Sequence, residues 1–239
     1  MVMVMQRAIP QHWLFPPSLK EAAVIQRQLA EQVIIEDQFS ELNYIAGMDV
    51  SNNPFDPAQI IHAAVVILKK PDAQIIETAT ASQKQRFPYV PGFLGFREAP
   101  VLVAAFQQLK IIPSLIFVDG HGISHPRGLG IASHIGVLLD CSTIGVAKSI
   151  LVGEYASPLG DEPGAQTPLV WQNRQIATVL RSKKRALPLI ISPGHKISLE
   201  SAVNMVKNYL NNYRLPEPTR QAHLAANHCR RQYHDHQLS

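Results

Sequence analysis

The sequence predicts a single α/β domain in which a mixed β-sheet is flanked by helices on both faces. Three strand-like runs in succession predict antiparallel hairpins, and the alternating helical and strand-like runs that follow are typical of strands joined by helices. The composition agrees with a folded chain, since 46% of the 239 residues are apolar and 17% are charged. We expect one domain over residues 1–239, with a short extension over about residues 1–17 and a polar tail over about residues 230–239.

The first half of the chain contains a helix and the three strands. After a pair of prolines, apolar residues at amphipathic spacing predict a helix over about residues 18–36. The strands are predicted at residues 44–51, 61–69 and 73–82. A loop around residues 88–92 then leads to a buried helix over residues 98–110, in which Glu98 is expected to open the first turn.

In the second half, helices and strands alternate. A short apolar run at residues 115–118 predicts a strand that ends at Asp119. The later elements are predicted as a helix at 130–139, strands at 143–147, 175–181 and 188–191, and helices at 199–210 and 219–231. Residues 157–171 follow no usable pattern, so no element is predicted there.

Several features bear on location. The longest apolar stretches, residues 63–68 and 99–106, are much shorter than the roughly 18–20 residues that span a bilayer. Residues 1–11 lack the pattern of a secretory signal. Two cysteines cannot build a disulfide framework, so free thiols are expected, with Cys141 in the core and Cys229 on the polar tail. A cytoplasmic protein is therefore predicted.

Positive charge is concentrated in two segments. Residues 81–150 carry a net charge of +3 and residues 181–239 a net charge of +7, whereas residues 1–80 are acidic. Because phosphates dominate the affinity of proteins for nucleic acid, a basic face is typical of a nucleic-acid-binding surface. An ordinary solvated surface explains the same charges equally well.

Two acidic residues stand where a charge is costly, and a third, Glu98, taken alone is best explained as the acid that starts a helix. Asp49 lies inside a strand pattern, and Asp119 closes a buried strand at its carboxyl end, where α/β sheets bind ligands. If Glu98 converges with them, the three like charges need a cation. Carboxylate oxygens suit Mg²⁺, with Mn²⁺ as a substitute. A zinc site is less favoured. The glycine and proline next to His121 and His125 argue against a helix that would align the two imidazoles, and the histidines near the end are irregularly spaced.

Other candidate residues stand at a strand end, in a loop and at the start of a helix. Lys148 ends a strand, where it could stabilise a phosphate or pair with one of the acids, and both readings stay open. Residues 119–131 form a glycine-rich loop, where the main chain could approach a ligand closely. Arg220 and His223 lie three apart behind Thr219, which is suited to cap a helix. A purely structural cap is an alternative for that segment.

Together these segments resemble the endonuclease V family, over about residues 20–228. The motifs that carry the resemblance occur in the family's order along the chain. They are AGMDV (46–50), FPYVPGFL (87–94), FRE (96–98), VDGHG (118–122), SHPR (124–127), LGIASH (129–134), TIGVAK (143–148) and EPTR (217–220).

The resemblance implies a ribonuclease H-like fold and a magnesium-dependent DNA repair endonuclease that recognises deaminated adenine, that is, hypoxanthine. Family members nick one nucleotide beyond the lesion on its 3' side and leave 3'-hydroxyl and 5'-phosphate ends. By position, Asp49 and Asp119 would hold the metal and Glu98 would complete the acidic site. Lys148 would contact the scissile phosphate, and His223 would help to position the attacking water or the water shell of the metal.

The resemblance also implies how DNA is held. Tyr89 would be the wedge that fills the gap left by the flipped base. The remaining DNA contacts are expected from Pro91, His125, Arg127 and Arg220, and the base pocket from Gly92, Leu94, Gly130 and Ile131. Inosine-containing RNA as the substrate and a non-catalytic lesion-binding protein are the alternatives, and no membrane or organic cofactor is expected.

Overall fold

The computed structural model describes residues 8–39 and 41–237. Within them the chain forms a nine-stranded mixed sheet with six helices. In chain order the elements are α1 (Gln11–Leu14), α2 (Leu19–Ala30), β1 (Tyr44–Asn52), β2 (Ile60–Lys69), β3 (Gln74–Lys84), α3 (Leu94–Phe106), β4 (Leu115–Asp119), α4 (Ile131–Leu139), β5 (Thr143–Ala147), β6 (Glu154–Tyr155), β7 (Gln166–Trp171), β8 (Arg174–Leu180), β9 (Leu189–His195), α5 (Leu199–Asn208) and α6 (Glu217–Gln237).

The strands lie in the order β3-β2-β1-β4-β5-β9-β8-β7-β6. β1, β2 and β3 pair as antiparallel hairpins, as predicted. β4 lies parallel to both β1 and β5, which brings the carboxyl ends of three strands to one edge of the sheet. By the switch-point rule for α/β sheets, that edge is where a ligand is expected.

Helices cover both faces, which confirms the predicted fold class. Apolar residues of α3 and α4 build a core on one face, with Leu102, Phe106 and Ile135 at its centre. On the other face, α5 and α6 pack Val203, Val206 and related residues against β4, β5 and β9. None of the described helices is both long enough and apolar enough to span a bilayer.

Several helix boundaries were predicted wrongly, and two of them have a visible cause or consequence. α2 ends at Ala30 instead of Glu36, because the following segment runs along β9, where Ile34 O accepts a hydrogen bond of 2.6 Å from Lys196 N. α3 begins at Leu94, so Glu98 lies one turn inside the helix instead of opening it. The turn before α3 needs Gly92, whose φ of +80° favours glycine.

The prediction also missed strands and shortened elements. β6 lies just before the segment that showed no pattern, and β7 lies within that segment. β7 alternates exposed and buried residues only over a few positions and contains Pro168, which is typical of a strand near a sheet edge. β9 continues through Pro193 and Gly194, past a register shift in its pairing with β5.

Helices extend into the predicted N-terminal extension and into the predicted polar tail. In the predicted N-terminal extension, residues 8–17 include α1, whose Leu14 is buried in the core, while residues 1–7 lie outside the described residues. The predicted polar tail is helical up to Gln237, and Tyr233 packs on His62 of β2. Residues 238 and 239 of that tail lie outside the described residues. Both cysteines are free thiols, but Cys141 is only partly buried and Cys229 lies on α6.

Candidate metal centre and base pocket

Three side chains from different parts of the chain meet at the carboxyl ends of β1 and β4. Asp49 and Asp119 lie on neighbouring parallel strands, and His223 approaches them from the first turns of α6. Ligand atoms of the three side chains all lie within 4.8 Å of one another. Among the described side chains this is the one such group.

The approach of α6 depends on Gly47 in β1. A Cβ atom at this position would lie 1.8 Å from the main-chain oxygen of Pro218, so a larger residue would push the start of α6 away from the sheet. Thr219 was expected to cap the helix, but α6 already begins at Glu217. The Thr219 hydroxyl donates instead to the carbonyl of Pro216 at 3.0 Å.

Each carboxylate at the centre has a defined partner. Asp49 Oδ1 accepts from the main-chain N–H of Val50 at 2.7 Å, and its Oδ2 lies 2.7 Å from His223 Nδ1. The Lys148 ammonium pairs with Asp119. Of the two roles left open for Lys148, pairing with an acid is therefore the one that the structure contains, and the cation stands beside the carboxylates.

Burial and neighbouring charges raise the pKa of two carboxyl groups at the centre. Burial, followed by the charge of Asp49, raises the pKa of Asp119 to about 6, and Lys148 opposes this shift. Burial, followed by the charges of Asp49 and Asp119, raises the pKa of Glu98 to about 8. The hydrogen bond to Asp49 raises the pKa of His223. Protonation and a bound dication are thus two ways to offset the negative charge of this site.

The residues present fit a hard dication. Carboxylate oxygens are the ligands that Mg²⁺ and Mn²⁺ prefer, and Asp49 and Asp119 place such oxygens close together beside an imidazole. Glu98 does not belong to the group of atoms within 4.8 Å of one another. It lies on the second turn of α3, close enough for the charges of Asp49 and Asp119 to raise its pKa.

A cavity of about 220 Å³ opens next to the metal centre. Three loops supply its walls: the turn before α3, the segment after Asp119 and the start of α4. All four residues predicted for a base pocket line it together with Tyr89, Pro91 and both histidines of the glycine-rich loop. These four are Gly92, Leu94, Gly130 and Ile131.

A clamp behind the cavity joins two of its walls. The main-chain oxygen of Gly92 accepts hydrogen bonds from Gln26 Nε2 at 2.9 Å, His125 Nε2 at 3.1 Å and Arg127 Nη2 at 2.7 Å. Gln26 also donates to the carbonyl of Leu129 at 3.3 Å. The clamp therefore fixes the distance between the Gly92 turn and the Leu129 segment.

The residues expected to contact DNA have different surroundings. His125 is 6% exposed and Arg127 is engaged by Gln26 and Gly92, so both support the pocket from behind. Arg220 makes two hydrogen bonds to Glu217, of 2.8 and 2.7 Å. Tyr89 is 72% exposed at the rim of the cavity, with the Arg97 guanidinium 5.4 Å from its ring centre. Direct DNA contacts of these residues stay predictions.

Known proteins resemble this chain over most of its length. The family model described as Endonuclease V matches residues 27–224. The Endonuclease V of Rhodospirillum centenum is 54% identical over 223 residues, which are 93% of this chain and 93% of that protein. The chain belongs to the endonuclease V family. The predicted family is thereby confirmed, and the chain is a nuclease, a hydrolase whose substrate is nucleic acid.

Solved structures of endonuclease V proteins confirm the ribonuclease H-like fold. The Streptomyces avermitilis Endonuclease V superposes with a TM-score of 0.85 at 34% identity, covering 94% of this chain and 97% of that chain. The Ciona intestinalis Endonuclease V has a TM-score of 0.76 at 27% identity, covering 91% and 98%. That protein was solved with a 24mer DNA containing an inosine followed by a ribo-adenosine.

Sequence reasoning missed the residues that support this endonuclease V site. Gln26 sits on the buried face of α2, where a single glutamine carries no spacing signal. Ser51 and Asn227 join β1 to α6 by a hydrogen bond of 2.8 Å across 176 positions of sequence. One local signal could have pointed to Gln26, because it is a polar residue on the otherwise apolar face of α2.

Proposed function

We propose that this endonuclease V is a magnesium-dependent DNA repair enzyme that recognises deaminated bases, chiefly deoxyinosine. It hydrolyses the second phosphodiester bond 3' to the lesion and leaves 3'-hydroxyl and 5'-phosphate ends. The observation that carries the proposal is the position of the Asp49, Asp119 and His223 group beside a cavity large enough for a base. The cavity can hold the base while the carboxylates face the sugar–phosphate backbone of the same DNA strand.

Each group at the centre has a role in this proposal. Asp49 and Asp119 would hold Mg²⁺, which lowers the pKa of the attacking water and neutralises charge on the phosphate. Lys148 stands beside Asp119, where its charge stabilises the phosphate as negative charge builds on it. Glu98 adds a third negative charge that a dication compensates. His223 holds its hydrogen bond to Asp49 and helps to orient the attacking water.

Recognition requires the base to leave the duplex. Unstacking a base costs a few kcal/mol, less at a mismatched pair, and its Watson–Crick edge becomes readable only outside the stack. The glycines that line the cavity let main-chain N–H and C=O groups approach the base, and the exposed Tyr89 ring at the rim can take its place in the stack. The Ciona complex with inosine-containing DNA supports this choice of substrate.

A second candidate substrate is inosine-containing RNA, cut by the same site. The ribo-adenosine that follows the inosine in the DNA of the Ciona complex favours this alternative. Matched DNA and RNA strands, compared for kcat/KM, would rank the two substrates. The cytoplasm is the proposed location, since two free thiols suit a reducing compartment.

Nicking of an inosine-containing duplex with and without Mg²⁺ tests the metal centre. Asp49→Ala removes a proposed ligand and is expected to lower kcat/KM by about 100-fold or more, since metal stabilisation of such a transition state is worth several kcal/mol. Asp161→Ala, at an exposed carboxylate remote from the centre, is the matched control. Cutting without a metal ion, or full activity of Asp49→Ala, would overturn the proposal.

Binding measurements test the wedge. Stacking of an aromatic ring on a base contributes about 1–3 kcal/mol, so Tyr89→Ala is expected to weaken binding to inosine DNA by roughly 5- to 150-fold. Binding to undamaged duplex should change much less, because no base is displaced there. Tyr155→Ala, on the edge strand β6, controls for loss of a surface tyrosine. Equal losses on both duplexes would discard the wedge role.

A further inference from the structure

Behind His223 lies a row of hydrogen-bonded side chains from β1 and α6. Arg230 Nε donates to Ser51 Oγ at 2.9 Å, and Ser51 Oγ donates to Asn227 Oδ1 at 2.8 Å. Asn227 Nδ2 lies 3.1 Å from His223 Nε2, and His223 Nδ1 lies 2.7 Å from Asp49 Oδ2. The row thus joins a guanidinium to a carboxylate of the proposed metal site.

The direction of the row is fixed at its Arg230 end. A guanidinium has donors and no acceptor, so Ser51 Oγ accepts from it and gives its own hydrogen to Asn227 Oδ1. The amide nitrogen of Asn227 then faces His223, whose main-chain oxygen it also reaches at 2.9 Å. Turning the amide over would bring its NH₂ group against the donors of Ser51 and Arg230 and its oxygen against the His223 carbonyl.

This amide orientation determines the proton position on His223. An amide N–H can only donate, so in the neutral ring Nε2 of His223 accepts this hydrogen bond and carries no proton. The proton of the neutral ring is then on Nδ1, from which it is donated to Asp49 Oδ2. Both ring nitrogens are occupied. A metal ligand needs a free lone pair, so the ring is not a ligand in this arrangement although it lies within reach of both carboxylates.

We propose that Asn227 is a positioning residue which, supported by Ser51 and Arg230, holds His223 as the Nδ1–H tautomer and thereby makes it a donor to Asp49 instead of a metal ligand. Together with the N–H of Val50 on Oδ1, the imidazole then orients both oxygens of Asp49. Hydrogen bonds of this kind orient ligand carboxylates and tune metal binding. The catalytic consequence rests on the proposed function, whereas the tautomer does not.

Long-range ¹⁵N–¹H correlation spectra of the metal-free protein, labelled at histidine, test the tautomer directly. The His223 signals, assigned by their loss in His223→Gln, are expected to show a protonated Nδ1 and a bare Nε2. In Asn227→Ala the same ring should become a mixture of tautomers. A proton on Nε2 in the unsubstituted protein, or an unchanged tautomer in Asn227→Ala, overturns the proposal.

Kinetics test the consequence for the reaction. Asn227→Ala is expected to lower kcat on an inosine duplex by about 10- to 100-fold with KM unchanged, as is typical when an outer partner of a metal ligand is lost. Asn227→Asp should lower kcat as well, because a carboxylate draws the proton to Nε2. Asn204→Ala, an exposed asparagine on α5, is the matched control. Unchanged kcat in both Asn227 variants overturns the proposal.

The two proposals fail in different ways. If the unsubstituted protein does not nick inosine-containing nucleic acid, the proposed function is wrong, and the NMR result still decides whether Asn227 sets the tautomer. If the protein nicks the duplex and Asn227→Ala nicks it equally fast, the proposed function stands and the positioning role is overturned.

Discussion

At the scale of single residues, Glu98 shows how the centre is poised for a cation. Its pKa of about 8 results first from burial and then from the charges of Asp49 and Asp119. At neutral pH the metal-free protein therefore holds a proton on Glu98. A dication between Asp49 and Asp119 would remove the repulsion that keeps the proton there, so metal binding should release it.

The Glu98 proton predicts a pH-dependent stability. Because the folded pKa lies above the unfolded value of 4.5, the folded state loses stability as pH rises from about 4.5 to 8. Glu98→Gln is expected to be more stable than the parent at pH 8.5 by about 1 kcal/mol or more, or roughly 2–4 °C in Tm, and much closer to it at pH 5. Thermal unfolding without metal at both pH values measures this difference.

Two controls make the Glu98 experiment decisive. Glu36→Gln, at an exposed glutamate in a loop, should have the same stability as the parent at both pH values. Addition of Mg²⁺ should raise the Tm of the parent more at pH 8.5 than at pH 5. A Glu98→Gln protein with the same pH dependence as the parent would contradict the raised pKa.

At the scale of elements, the junction of β1 and α6 places His223. Gly47 leaves room for the main chain at Pro218, and Ala222 of α6 is fully buried against the sheet. Gly47 does not adopt positive φ, so the backbone conformation does not require glycine there. Glycine is required because the main chain of α6 approaches the strand too closely for a Cβ atom. The first turns of α6 could not reach the strand ends past a larger residue at position 47.

Gly47→Ala is therefore expected to destabilise the fold by about 3 kcal/mol or more, because main-chain atoms cannot yield as a flexible side chain does. Nicking activity should fall as His223 moves away from Asp49. Urea unfolding at neutral pH measures the cost. Gly160→Ala, whose new methyl would meet only the Ala165 side chain at 3.2 Å, should change the stability by less than about 0.5 kcal/mol. Equal costs for the two would disprove the packing argument.

Elements with a strong apolar pattern were predictable, and elements held by tertiary contacts were not. β1, β2 and β4 are mostly apolar runs, and the parallel pair β1 and β4 brings Asp49 and Asp119 to one edge of the sheet. The last turns of α6 carry mostly polar residues, and their packing on β2 through Tyr233 has no local signature. The row through Ser51 and Asn227 joins residues far apart in sequence, which no spacing rule connects.

At the scale of the whole molecule, acid should act on the fold through its buried histidines. Burial lowers the pKa of His121, His125 and His134 to about 4 in each case, and the charge of Arg127 adds to the effect at His125. The unfolded value is 6.5, so their contribution to stability is complete above pH 6.5 and is lost as pH falls towards 4. Protonation of Glu98 and Asp119 acts in the opposite direction, since their folded pKa values are raised.

His134 allows this balance to be tested apart from the catalytic centre. It is 1% exposed in α4, packs edge-on against Phe96 with ring centres 4.9 Å apart, and bonds the Trp13 carbonyl at 3.3 Å through Nε2. One histidine shifted this far costs about 2 kcal/mol at pH 5 relative to pH 7. His134→Gln should thus lose stability overall, yet lose about 1–2 kcal/mol less than the parent between pH 7 and pH 5 in urea unfolding. His12→Gln, at an exposed histidine, should lose as much stability between pH 7 and pH 5 as the parent does. An equal loss in all three proteins would show that His134 is protonated without cost to the fold.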